Sequence, residues 1–467
     1  MPFLSFFYLL KIYQLLCQVA PYFPLPGSLG IPLAFPLPIA RRAVAGTARG
    51  FVPVRHLSAR TIRRAGMNAA DTAFLLICSG LVFFMIPGLA LFYGGLVQRR
   101  NILSTSMHSY ILLGLGSVVW AVIGYSLAFG GDAGSLIGDL RFFMLRDVGL
   151  EVKEGLTIPH MLFMIFQCMF ACLTPALISG AYAERIKFPA MALFSVLWIL
   201  LIYAPMAHWV WGGGWLMELG ALDFAGGAVV HMSSAAAALA CAHVLGPRLD
   251  LIQGTTAPHN LPFTLLGAGI LWVGWFGFNA GSALAANGLA VNAFTTTQLA
   301  TAAAMLGWLL VEIAISGKPT SFGAASGALA GLVSITPAAG FVTPGASLLI
   351  GFGGGVLCYG AVLMKNRLGY DDALDVVGIH GIGGTWGALA TGIWASAAVN
   401  GVDGLLYGNP GQLGIQALSV VATWVFSYCG SRILLALVGV VTPIRVSENE
   451  EINGLDLSEH SERGYQF

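Results

Sequence analysis

Two histidines set in apolar sequence carry the first chemical signal. His231 lies in ALDFAGGAVVHMSSAA (221–236) and His380 in DALDVVGIHG (372–381). Each follows an aspartate by the same interval: 231 − 223 = 8 for Asp223 and 380 − 372 = 8 for Asp372. A strongly polar or charged side chain at mid-bilayer depth is costly, about 2.5–3.5 kcal/mol on insertion scales for a charge, and marks a functional position. A neutral imidazole both donates and accepts a hydrogen bond. Two of them in a narrow apolar pore offer polar contacts to a small neutral solute without inviting ions. A single histidine on an apolar helix reads better as core packing. Two at matching positions, flanked by Gly, Ala and Ser, read better as a lined pathway. Asp223 and Asp372 have two compatible roles open to them: capping a helix start, or acting electrostatically. Asp375, three residues beyond Asp372, supports the dipole of a first turn.

Aromatic side chains supply the second signal. Phe166 and Phe170 in FQCMFAC, Trp211 in HWVWGGGW, and Phe276 and Phe278 in WFGFNAGS fall near corresponding helix ends, beside glycine runs and the hydroxyl of Ser282. A lone Trp or Phe there belongs to the interfacial belt. Several in one layer, with a hydrogen-bond acceptor, make a site for a small cation through cation–π attraction of about 1–2 kcal/mol per partly desolvated contact. No ring of carboxylates or carbonyl filter of the metal-ion channel kind is evident. Cys168 and Cys172 share a helix face without a His/Asp cluster beside them, which indicates packing and no metal site. No cofactor is expected. Ser282 has no local base or nucleophile elbow, and no phosphate-binding loop supports an ATP-driven pump, so no enzyme reading stands.

The elements that must position these residues are transmembrane helices. The chain of 467 residues is 57% hydrophobic and 9% charged, against about 25% charged in soluble domains. Its net charge of +1 points to no nucleic-acid partner, and its 61 glycines suit close helix packing in lipid. About eleven apolar stretches, each near the ~20 residues that span a bilayer, begin near Phe74, His108, Pro159, Phe188, Gly226, Leu261, Thr295, Ser321, Val342, Leu374 and Gly414. Arg99/Arg100, Arg185/Lys187, Arg248, Lys318, Lys365/Arg367 and Arg445 fall in alternate loops, which by the positive-inside rule places the first span's start outside and the C-terminus inside.

The Asp/His segments sit in the fifth and tenth spans, so an all-α fold of two inverted five-helix repeats plus one extra helix is expected. A fainter echo, Thr174-Pro175-Ala176 against Thr336-Pro337-Ala338, agrees with it. Inverted repeats with a midplane site between them are a common transporter plan. Residues 1–66, with seven arginines between Arg41 and Arg64, read either as a targeting segment or as upstream sequence ahead of an alternative start at Met67. The positive-inside rule favours the second. Residues 67–443 form the transmembrane domain and 444–467 a cytosolic tail.

The segments FMIPGLALFYGGLVQRRNILS (84–104), IGYSLAFG (123–130), FQCMFAC (166–172), AERIKF (183–188), AHWVWGGG (207–214), LDFAGGAVVH (222–231), PHNLP (258–262), GWFGFNAGSA (274–283), GKP (317–319) and DVVGIHG (375–381) resemble the ammonium transporter family of the Amt/MEP type, over roughly residues 70 to 460. The resemblance implies an external ammonium recruitment site of Phe170, Trp211 and Ser282, supported by Asp223. It implies a stacked phenyl gate of Phe166 and Phe278, and a pore lined by His231 and His380. It further implies ammonium or ammonia as substrate (methylammonium as analogue), homotrimers with one pore per subunit, and a cytosolic tail that meets PII signalling proteins. The tail keeps Gly454-Leu455-Asp456 but has His460-Ser461-Glu462 where the family usually has His-Gly-Glu. Two alternatives belong to other classes: an ammonium sensor, which would add a cytosolic signalling domain, and a neutral small-solute channel, which would need paired asparagine–proline half-helices.

Overall fold

The computed structural model describes residues 66–466 apart from Thr255. The reading of residues 1–66 therefore lies, save for its last residue, outside the described residues. Eleven helical passes follow: α1 (Ala69–Leu96), α2 (Ile102–Phe129), α3 (His160–Tyr182), α4 (Phe188–Glu218), α5 (Gly227–Leu245) and α6 (Leu261–Gly281). They continue with α7 (Gly288–Ser316), α8 (Ser321–Ile335), α9 (Pro344–Leu368), α10 (377–394) and α11 (Pro410–Val441). Among the described residues nine of these are long and apolar enough to cross a membrane, and α8 is a shorter apolar helix. No strand beyond isolated bridges occurs among the described residues.

Local chemistry sets the helix starts. Asn68 Oδ1 accepts from the Ala70 and Asp71 amides, and Asn287 Oδ1 from Ala290, so α1 and α7 begin ahead of the apolar runs that mark them in sequence. Proline occupies the first turn of α6, α9 and α11, where its missing N–H costs nothing. The helices α1 and α6 approach so closely that a Cβ on Gly267 would collide with the backbone of Gly88 and Phe92. Small residues make that contact possible where lipid supplies no hydrophobic drive.

The two halves interlock through their fifth helices. Both α5 and α10 open with a wide π turn, Gly227–Met232 and Val377–Gly381. The entry to α5 docks on the turn after α8, with the Phe224 amide donating to Pro337 O at 3.1 Å. The entry to α10 docks on α3, with the Leu374 amide donating to Gly180 O at 3.0 Å. Each half thus seats its key helix against the third helix of the other. The two helix starts lie on opposite faces: Asp223 sits beside Trp211, and Asp372 beside Lys365, whose Nζ donates to its carbonyl at 2.8 Å.

A tail of two short helices, α12 (Glu448–Asn453) and α13 (Leu455–His460), folds back on the second of these faces. Lys187 pairs with Glu450 at 2.8 Å and Glu459 at 3.4 Å, and Arg445 with Glu451 at 2.8 Å. Asn101 precedes α2 yet makes no cap bond to it. Its side chain donates to Glu184 and accepts from the Leu455 amide. The cap comes instead from the tail, where Asp456 Oδ1 accepts from the Ser104 amide at 2.8 Å.

Candidate functional site

The site begins at the entry to α5. Gly226 has φ +120°, a left-handed conformation suited to glycine, and turns the chain into the membrane. Four consecutive amides there point at one carboxylate. Asp223 Oδ1 accepts from Gly226 (2.8 Å) and Gly227 (2.6 Å), and Oδ2 from Ala228 (2.8 Å) and Val229 (3.3 Å). The four orphan donors of a helix start are thus satisfied by one side chain. The same residue fixes the mouth, because its carbonyl accepts from Trp211 Nε1 at 2.9 Å. Of the two roles left open for Asp223, capping is the one its carboxylate performs in the structure, while the backbone carbonyl positions Trp211.

Asp372 repeats the cap more sparsely. Its Oδ2 accepts from the Val377 amide at 2.7 Å, and its Oδ1 is buried without a partner. Asp375 pairs with Lys365 and takes a left-handed φ of +61°, which is strained for a non-glycine residue.

Between the two caps the π turns bring the histidines together. His231 and His380 face each other Nδ1 to Nδ1 at 3.2 Å, with ring centroids 5.2 Å apart and planes 20° from parallel. Both are buried. A bond between two Nδ1 atoms requires one ring to carry its proton there and the other to accept. The remaining Nε2 atoms are then one donor and one acceptor, and that of His231 has no protein partner. The pair therefore offers both hydrogen-bonding characters to a small solute.

A column of rings leads from the mouth to this pair. Trp211 meets Phe170 at 6.3 Å between centroids, Phe170 meets Phe278 at 4.6 Å, and Phe278 stacks on His231 at 5.8 Å. Ser282 caps α6 near the mouth; its Oγ donates to Phe278 O at 2.9 Å, which leaves its lone pairs open to a donor. Sequence reasoning paired Phe166 with Phe278 as the gate and put Phe170 at the mouth. The structure instead sets Phe170 against Phe278, and Phe166 contacts Phe170 at 4.9 Å and lies over Gly281. Four residues of helix separate the two phenylalanines, about 6 Å of rise, so only one reaches the Phe278 level. Phe276 turns away and stacks on Phe294 of α7 at 4.0 Å.

One member of the column escaped the sequence reading. Trp275 stacks on His231 at 5.3 Å and 17°, and its Nε1 donates to Thr336 Oγ1 at 2.8 Å. The available signal was its i, i+3 spacing to Phe278, which places both on one face of α6. The Thr-Pro echo thus has a use in the second half, where Thr336 fixes the indole that backs the histidine.

Comparison with known proteins agrees with this arrangement. The model of the Ammonium Transporter Family matches residues 73–465. An ammonium transporter of Bacillus subtilis (strain 168) is 53% identical over 405 residues, 86% of this chain and 99% of that protein. The crystal structure of Saccharomyces cerevisiae Mep2 superposes with a TM-score of 0.77 at 35% identity, covering 83% of this chain and 89% of that one. A structure titled Sensor Amt Protein gives 0.78 at 31% identity, covering 84% and 98%. With the match running from the first described helix into the tail, this chain belongs to the ammonium transporter family: it is a multi-pass protein of the cell membrane that transports ammonium and is not an enzyme.

Proposed function

We propose that ammonium is recruited at Trp211, Phe170 and Ser282, loses its proton at the phenyl level, and crosses as ammonia past His231 and His380. The observation that carries this reading is the contact between the two histidine rings at the end of a continuous aromatic column. Potassium and ammonium are nearly the same size, so a steric filter separates them poorly. Bringing a bare ion into a dry apolar pore costs many kcal/mol, about tens in the Born limit. Ammonium alone can avoid that cost by leaving a proton behind.

In this scheme Phe170 is shared by the two stations: it floors the recruitment site beside Trp211 and forms the gate with Phe278, with Phe166 one turn nearer the mouth. Asp223 acts through Trp211 and the α5 start and does not touch the cation. The tail face, where Arg100, Arg185, Lys187, Arg248, Lys365 and Arg445 gather, is cytosolic under the positive-inside rule, which leaves the Trp211 mouth external. Homotrimers with one pore each, and a PII-type partner at the tail face, rest on the family resemblance.

The test is ammonium-evoked current and methylammonium uptake in proteoliposomes, with and without a proton gradient, for His231 and His380 variants. Replacing both is expected to lower flux at least about tenfold, equivalent to losing roughly 1.4 kcal/mol of stabilisation at the barrier, and to relax discrimination against potassium. Unchanged selectivity in the double variant overturns the scheme. The likeness to the Sensor Amt Protein favours a second reading, that of an ammonium sensor. Such a protein would leave flux at the protein-free rate. Glycerol-driven liposome swelling without ammonium flux would mark a neutral-solute channel instead.

A further inference from the structure

A cavity of about 260 Å³ opens on the tail face, between the α1–α2 loop and the end of the chain. It lies far from the aromatic column, and no step of transport uses it. Three arginines line it, Arg99, Arg100 and Arg463. Arg100 pairs with Asp250 at 2.6 Å, yet its Nε is buried without a partner. Arg99 and Arg463 form no ion pair among the described residues. Asp456 also lines the cavity. It is 3% exposed, its Oδ1 holds the Ser104 amide, and its Oδ2 is buried with no partner. Glu462 and the Tyr465 hydroxyl, which meets His259 Nε2 at 2.9 Å, complete the polar wall.

This combination is selective. Three guanidiniums call for an anion with several acceptor oxygens, and planar forks suit phosphate and carboxylate alike. The unpartnered Asp456 oxygen then decides between them. A carboxylate or sulfate ionised at neutral pH has no proton to give it and would set lone pair against lone pair. A phosphate monoester or inorganic phosphate, with a second pKa near about 6 for phosphorylated side chains, keeps a P–OH in part of the population. Basic pockets at helix ends on the cytoplasmic side are also where anionic lipid headgroups bind. The volume falls below the ~300–1,000 Å³ of sites for drug-sized ligands and suits one headgroup.

We propose that this cavity binds a proton-bearing phosphate group, its anionic oxygens held by Arg99, Arg100 and Arg463 and its hydroxyl donating to Asp456 Oδ2. Inorganic phosphate and the phosphomonoester headgroup of phosphatidic acid share that chemistry. Either would tie the α1–α2 loop to the tail.

Isothermal titration of the purified full-length protein in detergent tests it, with inorganic phosphate against sulfate at matched ionic strength, and short-chain phosphatidic acid against phosphatidylglycerol. Phosphate or phosphatidic acid is expected to bind saturably, at least about tenfold tighter than its proton-free counterpart, as loss of one charge-assisted hydrogen bond implies. Binding by phosphatidic acid alone identifies a lipid as the source; binding by inorganic phosphate identifies a soluble one. R99A with R463A is expected to weaken binding at least about tenfold while thermal unfolding without ligand stays unchanged. Binding of neither probe, equal binding of sulfate or phosphatidylglycerol, or unaltered affinity in the double variant overturns the proposal.

Discussion

Both carboxylate oxygens of Asp223 are occupied by backbone amides, which makes the position intolerant of even an isosteric change. Asp223→Asn turns one acceptor into an NH₂ group facing N–H donors. We expect a loss of about 1–3 kcal/mol of stability from unsatisfied buried groups, seen as a lower unfolding temperature, with ammonium flux falling because Trp211 loses its anchor. Full flux at wild-type stability would show that the cap is dispensable. Ser282→Ala removes a lone-pair acceptor at the mouth together with the hydroxyl's bond to Phe278 O. Its expected effect is a rise of roughly two- to tenfold in the ammonium concentration giving half-maximal current, with maximal current retained. The histidines were legible in the sequence because equal Asp–His spacing survives without coordinates. Trp275 was not, because a ring that stacks on His231 from another helix leaves no trace in spacing relative to it. The exchange of Phe166 and Phe170 has the same origin: both lie on one face of α3, and only the height of Phe278 on α6 selects between them.

Helices α12 and α13 show how sequence and structure meet at the level of elements. Ser461 closes α13 at φ 56°, the left-handed position that glycine fills without strain. The departure from the family's usual glycine was visible in the sequence; its strained backbone needed the fold. Ser461→Gly is expected to strengthen tail docking by about 1 kcal/mol, read as slower limited proteolysis of the tail in the folded protein. Faster cleavage would contradict that. The ion pairs of α12 set its pH range. The Lys187 ammonium and the Ser447 N–H and hydroxyl hold the Glu450 carboxyl down from 4.5 to about 2. A carboxyl lowered on folding stabilises above its unfolded value and loses that contribution as pH falls towards the folded one. The contribution of Glu450 to tail protection should therefore be flat from neutral pH to about 4.5 and decline below it, and Glu450→Gln should abolish that part of the acid decline. A decline centred near pH 6.5 would instead implicate a histidine.

Across the whole molecule, eleven passes and their approximate starts could be read from apolar run lengths. The interlock of the halves could not, since the bonds Phe224–Pro337 and Leu374–Gly180 join residues with no shared pattern. Because each half holds the other's histidine helix, rocking one repeat against the other would break both docks. Flux is therefore expected to vary with temperature as gently as flow through a pore, and a cysteine pair bridging 224 and 337 should leave it nearly unchanged. Loss of flux on forming that bridge would reveal a moving interface. The cap that Asp456 lends to α2 has a consequence in time. The amide it satisfies, on Ser104, is made 352 residues earlier. The second helix thus enters the membrane with its first turn incomplete, and only a segment synthesised 352 residues later finishes it. Chains truncated before Asp456 should reach the bilayer yet remain substrates for quality-control proteolysis, their turnover falling to the full-length rate once the final residues are restored.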